Sequence, residues 1–221
     1  MKRKTRILLL VLAAVLLLGI AGAIYATTRD DPYFSLGRLF RSARNRQEAN
    51  ATGSAGVVAT YNGHEITATV VAYQKGLNSM RAPAEAARYQ TDRDVIDRIA
   101  ETYMVQEEAE RRGLTASEEE IEEMVRNAQR AYELPEGKAL LDSYCQGAGI
   151  TIDEYYDLLR EQAPATIARQ KLKDAVGKEY CEAHGLTFTK SSPPQAMLDA
   201  QDAFFDDLFR QHKGEIQYFI S

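Results

Sequence analysis

The chain has 221 residues, 45% hydrophobic and 27% charged, which excludes a disordered or collagen-like chain and allows one or two domains. Net charge is −5, and because Lys2, Arg3, Lys4 and Arg6 hold four positive charges, the rest of the chain carries −9. An acidic body excludes the basic face a nucleic-acid binder needs, and two cysteines are too few for a disulfide-stapled scaffold or a four-thiolate zinc site.

In chain order, the first feature is an uncharged run from Ile7 to Ala26 (ILLLVLAAVLLLGIAGAIYA). As a helix it would span about 30 Å, the thickness of a bilayer's hydrocarbon core, and the preceding basic residues suit a cytoplasmic N-terminus. A cleaved signal peptide competes, because Ala21-Gly22-Ala23 resembles a cleavage site; no cysteine follows that would permit lipoprotein anchoring. The apolar run exceeds a usual signal core, so an uncleaved anchor over residues 1–28 is the favoured reading. Arg29, Arg38, Arg41, Arg44 and Arg46 lie downstream, but long domains translocate largely regardless of charge, so the body is expected outside the cytoplasm.

Residues 29–56 read as a juxtamembrane linker. Within it Tyr33–Arg41 (YFSLGRLFR) suits either a short interfacial helix or a solvated tether, and Ala49–Gly56 is a small, polar spacer in which Asn50-Ala51-Thr52 fits a glycosylation acceptor. The body, 57–221, is long enough for one real hydrophobic core. The β-branched Val57–Tyr61 ends at Asn62-Gly63, a tight-turn pair, and His64-Glu65-Ile66 makes a return strand. Thr67 caps a helix to about Met80. A second helix runs from Asp92 to Arg112, with Val95, Ile96, Ile99, Tyr103 and Met104 on its apolar face and Gly113 as terminator.

Ser117 with Glu120 forms a capping box for a third helix, whose Ile121, Met124, Val125 and Ala128 recur at helical spacing. A shorter helix covers Glu136 to Gln146. Thr151 with Glu154 opens a long one towards Glu182, which Pro164 is expected to kink or split. A last helix from Pro194 to His212 carries Met197, Gln201, Phe204, Phe205, Leu208 and Phe209 on one side, and Glu215–Ile220 alternates as a strand. That strand needs a partner, and the hairpin at 57–66 is the remaining β material. The fold class expected is mainly α, with a small sheet joining the N-terminal hairpin to the C-terminal strand.

These pieces carry a resemblance. Val57–Thr67 (VVATYNGHEIT) resembles the opening of the SurA/PrsA-type chaperone domain, and Asp94–Ile99 continuing through Glu107–Ile121 (EEAERRGLTASEEEI) is similar to that family's next helix, its Arg-Gly-Leu-Thr step and its Ser-capped acidic helix. Gly149–Tyr156 with Arg169–Leu172 is similar to its long fourth segment, and Phe205–Leu208 ending in Glu215–Phe219 resembles its terminal helix and returning strand. The similarity covers most of 57–221. Many relatives insert a parvulin-type prolyl isomerase before the terminal helix, whereas here only His184 to Pro193 separates the two segments, far too short for a catalytic domain. The resemblance implies a holdase or client-binding module, and does not carry isomerase activity across.

Catalytic and metal patterns are weak. Cys181 and His184, with His64, His212 and Cys145, match no standard metal spacing, and no phosphate loop, nucleophile elbow or zinc-protease helix occurs. No catalytic residue, metal or cofactor is assigned. Cys145 and Cys181 could pair as one disulfide or remain two free thiols. Glu118–Glu123 reads as a solvated, helix-capping face. Met80, Tyr89, Met104, Met124, Tyr132, Tyr144, Tyr155 and Tyr156 are the candidate client-binding residues, since Met and Tyr accommodate varied apolar segments; ordinary core packing is the alternative for each. The expectation is a membrane-tethered extracytoplasmic chaperone whose partners are unfolded or newly translocated polypeptides. Its rivals are a scaffold for one envelope or secretion partner and a minimal prolyl isomerase.

Overall fold

The computed structural model describes residues 31–50, 56–80, 87 and 89–220. The Ile7–Ala26 run and residues 51–55 of the Ala49–Gly56 spacer lie outside them; among the described residues no helix is long and apolar enough to cross a membrane. Among the described residues the elements in chain order are α1 (Pro32–Asn50), β1 (Val57–Tyr61), β2 (His64–Thr67), α2 (Ala68–Ser79), α3 (Asp92–Arg111), α4 (Glu118–Glu133), α5 (Pro135–Ala148), α6 (Ile152–Ala183), α7 (Gln195–His212) and β3 (Gln217–Tyr218), with a 3-10 turn at Lys213–Glu215.

The caps read from sequence are in place. The hydroxyls of Thr67, Ser117 and Thr151 accept from the backbone N–H of Val70, Glu120 and Glu154, and the last two close full capping boxes. Thr91 with Asp94 closes a further box at the start of α3. Asn62 and Gly63 both have positive φ (43° and 81°), the geometry a two-residue hairpin needs, and Tyr61 pairs with His64 across it. Glu107 on α3 fastens this turn, accepting from the Tyr61 hydroxyl (3.1 Å) and from the Asn62 amide (2.8 Å).

The three strands form one antiparallel sheet in the order β2-β1-β3, with Ala59 opposite Tyr218 and the Phe219 N–H donating to the Val58 carbonyl at 2.8 Å. The two ends of the body therefore meet in one sheet, as expected, although the closing strand holds only Gln217 and Tyr218.

Two apolar cores follow. The first gathers Ala59, Tyr61 and Ile66 of the sheet, Val70 and Val71 of α2, the buried face of α3, Ala168, Leu172 and Val176 of α6, and Leu208 of α7. The second gathers Leu36, Phe40 and Ala43 of α1, Tyr73 and Leu77 of α2, Val125 and Ala128 of α4, Leu141, Tyr144 and Ala148 of α5, and Tyr155, Tyr156 and Leu159 of α6. Helix α6 is shared. Its 32 residues, about 48 Å at 1.5 Å per residue, place its first half in one core and its second half in the other. Pro164 sits within it on the exposed side and does not divide it.

The stretch read as a linker differs most. Residues 32–50 form a 19-residue helix whose Leu36, Phe40 and Ala43 are buried against α5. The approach is close because Gly37 and Gly147 face one another's helices. A β-carbon at Gly37 would overlap the Tyr144 carbonyl, and one at Gly147 the Phe34 carbonyl. Asp31 starts the helix by accepting from the Tyr33 N–H (2.9 Å) and is tied to α5 by the Ser143 hydroxyl (2.5 Å). Arg41 donates to the Gln146 carbonyl at 2.7 Å, a second donor on a carbonyl at the end of α5 that the Gly149 N–H also reaches (3.3 Å). The apolar face that would have suited a membrane interface is thus spent inside the protein.

Candidate functional site

Helix α4 buries only Val125 and Ala128, so apolar packing alone holds it loosely. Ionic contacts to α6 fix it. Lys171 reaches the start of α4, donating to the Thr115 carbonyl (2.8 Å) and to Glu120 (2.6 Å), and Arg160 donates to Glu122 (2.8 Å). Beside these clamps the two helices border an open groove of about 560 Å³. Met124 and Ile167 supply its apolar surface, and Glu119, Glu120, Glu123, Arg126 and Asn127 its polar rim.

The rim charges are unequal in their commitments. Lys171, helped by the Ser117 backbone, holds the Glu120 carboxyl down at about 2, and Arg130 and then Arg126 lower that of Glu123. Glu119 has no ion pair among the described residues and is exposed. The groove thus offers a flexible thioether and a branched aliphatic side chain beside a free carboxylate. Such a surface can take an apolar side chain followed or preceded by a basic one.

A smaller recess of about 160 Å³ lies between the sheet and helices α2 and α3, lined by Val58, Val71, Ala72, Ile96 and Ile220. The Lys75–Asp92 ion pair bridges its mouth. On α7, Phe204, Phe205 and Phe209 are half-buried, and each carries a cation over its ring: Arg112 at 4.9 Å, Arg169 at 5.5 Å and Lys213 at 5.1 Å. These rings are covered apolar surface, not an open groove.

Of the eight candidate client-binding residues, six gather around the second core and two, Tyr89 and Met104, around the first. Met104, Tyr144, Tyr155 and Tyr156 are buried, and Tyr155 packs edge-on against both Tyr144 (5.9 Å) and Tyr156 (5.8 Å). These four are core residues. Met80, Tyr89 and Tyr132 are half-buried at the margins, and Tyr132 donates to Asp142. Met124 alone of the eight lines the groove. Sequence reasoning missed Ile167 and treated Glu119, Glu120 and Glu123 as a solvated face. Helical spacing placed Met124, but nothing local announces that residue 167 stands opposite it.

The disulfide alternative does not hold: both cysteines are free and buried. Cys145 sits on α5 beside the Thr151 carbonyl, where α6 begins, while Cys181 lies near that helix's other end, roughly 45 Å further along. A disulfide requires Cα atoms within about 7 Å. Among the described residues no three His, Cys, Asp or Glu side chains converge on a metal-sized site. His64 instead stacks on Tyr103 (4.2 Å), and His212 contacts Glu215 (2.9 Å).

Comparison with known proteins adds one finding. A family model described as the SurA-like N-terminal domain matches residues 2–173, from before the apolar N-terminal run to the middle of α6. No curated protein and no solved structure matches the chain.

Proposed function

The chain belongs to the SurA-like N-terminal domain family, and from that membership we propose that it is a holdase, capturing unfolded or newly translocated polypeptides without covalent chemistry. Membership supports a chaperone-type role at family level; the α4–α6 groove is the observation that supports capture as its mechanism. Met124 and Ile167 would receive one apolar side chain of an extended client, and Glu119 would attract a neighbouring Lys or Arg. The pocket is open and shallow, so each capture is weak and reversible, which suits a protein that must release its clients.

In this reading Ile7–Ala26 is a single-pass anchor with the body on the extracytoplasmic side, or a signal whose cleavage would release it. An anchor concentrates the domain where clients emerge, and so raises the effective concentration of weak sites.

The test is light scattering from several chemically unfolded clients diluted into the full chain held in lipid nanodiscs. Suppression near stoichiometric ratios across unrelated clients is expected, and Met124→Glu should weaken it several-fold while leaving the circular dichroism unchanged. Failure to suppress with every client would overturn the holdase reading. Suppression by wild type and Met124→Glu alike would remove the groove from the mechanism.

A further inference from the structure

Helix α1 has an outer face that nothing else in the described structure covers. Arg38, Ser42 and Asn45 lie on the side of the helix away from the buried Leu36, Phe40 and Ala43, and Ser35 and Arg46 continue that polar surface along one flank. Arg38, Asn45 and Arg46 are exposed, and neither Arg38 nor Arg46 has an ion pair among the described residues. The residue types matter. They are arginines and small polar groups, with Arg41 at the flank already engaged on the Gln146 carbonyl and Glu48 the helix's one carboxylate. Four arginines on 32–50 stand against a chain that is otherwise acidic.

Position adds the second argument. With α1 a packed helix, the connection from the apolar run to the folded body is residues 27–31 and not a thirty-residue tether. Five residues reach at most about 20 Å even fully extended. A body so closely leashed cannot swing free of the bilayer. Its charge asymmetry would then orient it, since an anionic surface attracts the arginine face and repels the acidic remainder.

We propose that α1 lies along the bilayer surface with Arg38 and Arg46 on anionic phospholipid headgroups, holding the domain in one fixed orientation. This rests on Ile7–Ala26 being a membrane anchor. It differs from an amphipathic insertion, because the apolar side of α1 is turned into the second core and only the polar side meets the headgroups.

The experiment uses the full chain in nanodiscs of zwitterionic lipid alone or mixed with phosphatidylglycerol, each doped with a lipid carrying a nitroxide on its headgroup. A fluorophore is attached at Asn45→Cys; the two native thiols are buried and should not compete for the label. A second label, at Asp202→Cys on α7, reports the side of the molecule built on the other core. Quenching at position 45 but not at 202, in the anionic discs only, is expected. Added salt should relieve it, and the ratio of docked to undocked molecules should fall about fivefold for each of Arg38→Gln and Arg46→Gln. A disc-associated chain with no quenching at 45, or equal quenching in both lipids, overturns the proposal and leaves the anchor intact. A chain that does not co-purify with the discs overturns the anchor, and the proposal with it. Quenching that appears only when a second protein is supplied assigns the face to that partner instead.

Discussion

Two glycines decide how α1 sits on the body. Gly37 and Gly147 allow the backbones of α1 and α5 to touch, and a methyl group at either position would collide with a carbonyl of the facing helix, which has no rotamer to escape through. Gly37→Ala and Gly147→Ala should each cost about 2–3 kcal/mol, from overpacking that only a shift of a whole helix can relieve. Urea unfolding measures this, and a change within about 0.5 kcal/mol would mean that the helices are not in contact there. Gly137, which also faces backbone across the α4–α5 turn, is a less clean test because that turn is exposed. The sequence alone could not announce the pairing. Gly37 sits among arginines in a stretch of low hydropathy, and its complement lies more than a hundred residues away. The local signals fared better: Thr67, Ser117 and Thr151 were legible as caps because a cap depends on residues three positions apart.

At the level of elements, α4 is the least embedded of the long helices, and its attachment depends on charge. Glu120 has its carboxyl held at about 2 by Lys171, against about 4.3 for an unfolded glutamate. The folded chain therefore stays ionised where the unfolded one begins to take up protons. The stability this pair contributes is complete above about pH 4.3 and disappears as pH falls towards about 2. Glu108, held at about 2 by Arg111 and Arg112, titrates in the same window without touching α4. Lys171→Met separates the two. Its urea midpoint should lie below that of wild type near neutral pH, with the gap closing as pH falls through that window, while the Glu108 contribution falls in both proteins. A gap independent of pH would show that Lys171 acts through packing alone. The groove beside these clamps was only half readable. Met124 follows from the period of α4, whereas Ile167 and the free Glu119 gain meaning only when α4 and α6 are laid side by side.

Across the whole molecule, α6 ties two cores into one unit, and the cysteines report on the protein near its two ends. Cys145 belongs to the second core, and burial, followed by the nearby Asp142 and Glu154 carboxylates, pushes its thiol up to about 11; Cys181 is buried near the far end of α6. Neither should react with a thiol reagent at neutral pH in the native chain, and both should appear in one cooperative step under urea. Oxidation of the native protein should give no intrachain disulfide. Rapid labelling of one cysteine before global unfolding would show that the protein opens separately at the two ends of α6, contrary to a shared spine. The sheet, by contrast, was legible at this scale from a simple count: a lone alternating strand at the end of the chain needs a partner, and only the hairpin at 57–66 was free to supply one.

The same sheet has a consequence for the order in which the chain can fold as it emerges. β1 exits early and finds β2 at once through the Asn62-Gly63 turn, but its other edge waits for Gln217 and Tyr218, nearly the whole body later. Likewise α1 must wait for α5. Until its synthesis is complete the domain therefore carries an unsatisfied strand edge and an uncovered apolar helix, both of which invite contact with other unfinished chains. Until its last strand arrives, the chain is itself open to the edge-to-edge pairing that a finished sheet forecloses.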